Sequence, residues 1–153
     1  MGEVNRIVDQ LHRALNGDAW HGLPIMELLS GVNAEGARAR PIPGRHTIWE
    51  LVLHMSAWND VVRRRTGGEV VKSLPPHEDW PPIRDFGESA WNKTVGDFEQ
   101  VYRRMVKSIS GFSDGRLDEN VQGTSNSFYN MFHGIVQHNL YHAGQIAILK
   151  KKA

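Results

Sequence analysis

The chain contains no cysteine. That absence excludes disulfides, thiolate metal ligands and a cysteine nucleophile, so any bound metal must be held by nitrogen and oxygen. Any thiol chemistry would need a thiol from outside the chain. Long hydrophobic runs are also missing: no stretch approaches 18 consecutive apolar residues, so no membrane-spanning helix is expected. The opening segment MGEVNRIVDQLHRALNG is charged and amphipathic, without the apolar core and small-residue cleavage site of a secretory signal, and the expected compartment is the cytoplasm. An excess of one charge is lacking too. With 18 basic and 17 acidic residues the net charge is +1, which gives no global field to attract nucleic acid. No segment alternates polar and apolar residues convincingly, so strands are not expected.

What is present is helical periodicity. With 153 residues, 40% of them apolar and 23% charged, the chain is long enough for one domain with a real core and too short for two of ordinary size. The expected domain spans residues 1–153. A first helix over about 3–16 places Val4, Ile7, Val8, Leu11 and Leu15 on one face and stops at Gly17. A short helical piece around Leu23 to Leu29 leads into the loop ARARPIPGR, where two prolines and a glycine break regular structure. A second helix begins at Thr47-Ile48-Trp49-Glu50, a Thr-x-x-Glu capping box, and runs to about Arg65. LPPHEDWPP, with four prolines in nine residues, reads as an extended loop crossing the surface or covering an opening. Asp85-Phe86-Gly87-Glu88 reads as another acid-capped start, for a third helix over about 86–109. The polar stretch GFSDGRLDENVQGTSNS then leads to a fourth helix over about 128–150. Four helices of similar length imply an all-α fold, an antiparallel four-helix bundle with long connections. The basic runs Arg63-Arg64-Arg65 and Lys150-Lys151-Lys152 fall at expected helix ends, where cations meet the partial negative charge of the C-terminus.

The fourth helix carries the chemistry. His138 and His142 in HNLYHAGQ are four residues apart, about 40° in helical projection, so both leave the same face one turn apart. They fall in the stripe of Met131, Ile135, Ile146 and Leu149. Two inward imidazoles both need partners once desolvated, and one shared metal ion would satisfy both. Bundle metal sites recruit ligands from more than one helix, which directs attention to His54, at the edge of the apolar stripe Ile48, Leu51, Val52, Met55 and Val62. Three neutral imidazoles leave a coordination position free for water or substrate. Position 139 is asparagine, so the zincin motif HExxH is absent. His12, His21, His46 and His77 read as surface or packing residues, and His133 points well away from the direction of His138 and His142. Glu50, one turn before His54, is explained by capping, and Trp80 by loop packing.

The segments TIWELVLHMSAWND and QHNLYHAGQIAILKK, with AWHGLPIMELLSGVNAEGARARPIPGRHTIWELVLH between residues 19 and 54, resemble the DinB/YfiT-like family over most of the chain. The resemblance implies a four-helix bundle that binds a divalent metal ion, nickel or zinc above all, through three histidines, and frequent homodimerisation. The ligand positions fall on His54, His138 and His142. The residue after the first histidine of the last motif is often acidic in such proteins and is Asn139 here, a difference that bears on a contact behind the ligands. The family includes transferases that use low-molecular-weight thiols, an isomerase and hydrolases, so the implied partner is a small-molecule substrate, with a low-molecular-weight thiol as one candidate. Neither contact with nucleic acid nor with a membrane is implied. Three readings stay open: a metal-dependent transferase or hydrolase, a non-catalytic metal- or ligand-binding bundle, and purely structural histidines.

Overall fold

A computed structural model describes residues 1–152. Four long helices form the frame: α1 (Glu3–Asn16), α4 (Ile48–Thr66), α6 (Glu88–Ser110) and α7 (Phe128–Lys152). Three short ones sit in the connections: α2 (Ile25–Leu29), α3 (Ala34–Arg38) and α5 (Pro76–Asp79). A single turn of 3₁₀ helix spans Asp114–Arg116. The described residues contain no strand, only an isolated bridge between Asn120 and Ser127. None of their helices is long and apolar enough to cross a membrane. The expectation of an all-α fold is met.

Each long helix packs on two others, α4 and α1 both lying against α6 and α7, so the four close a ring around a common core. Trp49, Trp91, Phe98, Tyr102 and Phe132 are its largest buried side chains. The buried aromatics also satisfy their polar atoms. Trp91 Nε1 donates to the Val32 carbonyl at 2.6 Å and the Tyr102 hydroxyl to the Leu11 carbonyl at 2.8 Å. These bonds tie α6 to the connection before α3 and to α1, and avoid the cost of a buried, unpaired donor.

Local sequence explains the start of α4. Thr47 Oγ1 accepts from Glu50 N at 3.2 Å and Glu50 Oε2 accepts from Thr47 N at 2.8 Å, the reciprocal capping box expected from the sequence. A cap of this kind is worth about 1 kcal/mol and fixes where the helix carrying His54 begins. Burial raises the Glu50 carboxyl pKa, but the Thr47 N–H and the Arg40 guanidinium outweigh it and hold the group below its ordinary value. The carboxylate is therefore committed to the cap.

Three expectations are corrected. LPPHEDWPP is not wholly extended: Pro76 opens the one-turn helix α5, because proline's fixed φ suits a first helical position that needs no N–H partner. The acid-capped start at 85–88 is not a cap of α6, whose N-cap is Gly87. Asp85 Oδ1 accepts from Gly87 N at 2.8 Å, and Glu88 Oε2 reaches away to accept from Ala34 N at 2.9 Å, at the start of α3. The third correction is α3 itself, which runs into the segment read as a loop and is capped by Asn33 Oδ1 through Gly36 N.

Candidate metal centre

Two elements converge to form the site. α4 brings His54 from one side, and α7 brings His138 and His142 from the other. The stripe of α7 that enters the core runs Phe128, Met131, Phe132, Ile135, Asn139, His142, Ala143, Ile146 and Leu149. Asn139 thus takes the centre of the face and His138 its flank, half-buried, while His54 and His142 are only 7% and 6% exposed. This displacement to the flank lets His138 reach across to α4.

The three Nε2 atoms point at one another. His138 Nε2 lies 3.2 Å from His54 Nε2 and 3.2 Å from His142 Nε2, and one nitrogen from each ring falls within 4.8 Å of the others. Two nitrogens bound to one tetrahedral ion at about 2.0–2.1 Å are separated by about 3.3–3.4 Å, so the observed spacing fits a shared ion. The outer nitrogens support the same assignment. His54 Nδ1 donates to the Asp79 carbonyl at 2.8 Å, with Asp79 Oδ1 at 3.1 Å, and His142 Nδ1 donates to Gln145 Oε1 at 2.7 Å. A ring that donates through Nδ1 turns an unprotonated Nε2 lone pair inward, the tautomer a metal requires. His138 Nδ1 differs, being buried without a partner. A proton could bridge one N···N contact. A cation accepts all three lone pairs, so the donor set fits a metal ion.

Electrostatics keep His138 and His142 neutral. Burial, then the neighbouring His142 and His54, push the His138 pKa down to about 3, against a smaller opposing pull from Asp79. Burial also lowers the pKa of His142, with the Gln145 bond opposing it. The sign of the consequence is fixed: the unfolded chain takes up protons near pH 6.5 that the folded chain refuses. Metal-free protein is thus expected to hold its full stability above about pH 6.5 and to lose it progressively as pH falls toward 3. Denaturant midpoints measured across that range check this, and an acid limb unchanged in His138→Ala would contradict it.

α5 and the residue after it close the site. Trp58 Nε1 donates to Asp79 Oδ1 at 2.7 Å, holding that carboxylate beside His54. Trp80 lies flat on His54, ring centroids 3.9 Å apart and planes 5° from parallel. His46 stacks on the opposite face of Trp80 at 3.5 Å and 8°. The proline-rich segment therefore shields His54 from water and supplies its hydrogen-bond acceptor. Asp79, Trp80, His46 and Gln145 all pack on or behind the cluster, and sequence reasoning gave none of them a site role. Gln145 carried a signal in its i+3 spacing from His142; a loop residue such as Asp79 carried none. Glu50 is confirmed as a cap and makes no bond to His54.

The model of the DinB superfamily matches residues 25–146, a span that includes all three histidines. No curated protein matches the chain. With well over half of its length matched and an all-α fold around a three-histidine cluster able to hold a metal ion, the chain belongs to the DinB superfamily.

Proposed function

We propose that the chain is a divalent-metal enzyme in which His54, His138 and His142 hold the ion and leave a position open for a nucleophile. The convergence of three inward Nε2 atoms carries this reading, with two of the rings locked from behind. Nickel and zinc suit a donor set made only of imidazoles. When bound, such an ion lowers the pKa of a coordinated thiol or water and so makes it a nucleophile at neutral pH. The protein's own contributions are positional. Asp79 and Gln145 fix the tautomers of His54 and His142, and Trp58 fixes Asp79. Trp80 excludes water from one face of His54. With no cysteine in the chain, a thiol nucleophile would be an external, low-molecular-weight one.

Protein purified without a histidine tag or nickel column should contain about one divalent ion per chain by elemental analysis. Turnover assays on that protein with electrophilic substrates, with and without added thiol, then separate the chemistries. Product that requires thiol and disappears on chelation identifies a transferase; product that needs no thiol but disappears on chelation identifies a hydrolase. Metal-loaded protein inactive in both panels would leave the second reading, a non-catalytic metal-binding bundle.

A further inference from the structure

Arg63, Arg64 and Arg65 close α4 as three consecutive cations, but the fold treats them differently. Arg63 pairs with Asp60 at 2.8 Å and Arg64 with Glu69. Arg65 has no acidic partner among the described residues. Its guanidinium donates only to backbone carbonyls, Nε to Val71 O at 2.8 Å and Nη2 to Val71 O at 2.6 Å and Lys72 O at 3.3 Å. Carbonyl dipoles orient a guanidinium but do not neutralise it. Burial lowers its pKa, with no nearby carboxylate opposing the effect. A partly buried cation oriented by carbonyls at a helix C-terminus keeps its full charge, which leaves it able to pair with an anion from outside the chain.

The surroundings say where that anion would sit. Arg65 lines a cavity of about 290 Å³ between α4, α7 and the connection before α7, and His138 lines the same cavity. Trp58, Thr124, Asn126 and Asn130 give its wall one aromatic face and several hydrogen-bonding groups. Gly134 also lines it, and a Cβ built there would meet nothing within 4 Å, so this turn of α7 leaves the space open. Arg65 is 11 residues along α4 from His54, about 16 Å of axial rise, and Asn130 is eight residues from His138, about 12 Å. A molecule touching both ends must be on the order of 10 Å long.

We propose that Arg65 anchors the anionic end, a carboxylate or phosphate, of an elongated small molecule that lies in this cavity with its other end at the histidine cluster. The anchor stands on Arg65 and the cavity; only the role of the far end rests on the metal reading above. Metal-free protein provides the test, with adipate and inorganic phosphate as separate probes and the Arg65 Nε–H resonance and calorimetry as readouts. Saturable binding of either probe that shifts the Arg65 signal is expected, the responding probe naming the oxyanion class. Arg65→Gln should weaken it at least tenfold, and Arg65→Lys should restore part of it. Because Arg65 also holds residues 71 and 72, Gly134→Leu supplies a second variant, which fills the cavity from a helical position with room for a side chain and should weaken adipate binding without loss of fold. His142→Ala should leave anion binding intact. If neither probe shifts the Arg65 resonance, or if Arg65→Gln binds both as the native protein does, the anchor is wrong whether or not the native protein holds metal. Absence of metal from native protein, with anion binding at Arg65 retained, would overturn the metal reading alone.

Discussion

Protein carrying His142→Ala is expected to retain almost no divalent metal after dialysis, while the native chain keeps about one ion. The reason is geometric. His138 Nε2 makes both of the 3.2 Å approaches, and without His142 the remaining pair, His54 and His138, presents only two nitrogens to an ion that needs at least three protein ligands in an open site. Gln145→Ala provides the graded comparison. It leaves all three ligands but removes the acceptor that fixes the tautomer of His142, and should weaken binding about 10–100-fold. Competition against a chelator of known affinity measures both. Equal metal content in native protein and His142→Ala would sink the three-histidine site.

Asn139→Asp should destabilise the metal-free fold at neutral pH. Asn139 and Asn59 are both 0% exposed and share one hydrogen bond, Asn139 Nδ2 to Asn59 Oδ1 at 2.9 Å, across the α4/α7 contact. Asn59 Nδ2 and Asn139 Oδ1 are left without a hydrogen-bond partner. A carboxylate at 139 would lose the donor that Asn59 Oδ1 now uses and bury a charge whose one donor at hand is the Asn59 amide turned over, a cost of about 1–3 kcal/mol at neutral pH. The protein would respond by raising the pKa of the new carboxyl. The folded state then binds a proton that the unfolded chain releases near pH 3.9, so the variant should become less stable relative to native protein as pH rises from there. Unfolding of metal-free native and variant protein at pH 4.5 and pH 7 checks the sign; a difference that is small, or larger at pH 4.5, would contradict it.

What sequence could reveal follows from these two cases. The spacing of His138 and His142 and the capping box at Thr47 are local patterns, and local patterns survive folding because helix geometry is nearly invariant. The assembly of His54 with that pair depended on inward faces and on family resemblance, and the structure brings the three rings together. The apolar stripe was less exact than it looked: shifting its centre by one residue puts Asn139 in the core and His138 at the flank. A polar residue at the middle of a buried face contradicts binary patterning, and only the matching Asn59 on α4 resolves it. Asp79 and Trp80 were illegible because a proline-rich connection has no period from which to read a direction. Their positions are set by the Trp58 hydrogen bond and by stacking, both of them contacts made only after α4 is in place. Arg65 was hidden for another reason. Three adjacent arginines at a helix end look alike in sequence, and only the pairing of the first two isolates the third.

The short turn at residues 76–80 bears on ion affinity in a way that reaches beyond shielding. It contributes no ligand, yet it holds His54 through the Asp79 carbonyl and covers its ring with Trp80, which His46 backs from outside. In the proposed metal site, docking of this strap and occupancy by an ion are therefore thermodynamically linked. Whatever factor the docked strap adds to ion affinity, the ion adds to the docking equilibrium in return, because the two routes around the cycle must agree. A compound that displaced Trp80 from between the two imidazoles would loosen the ion without touching a single coordinating atom.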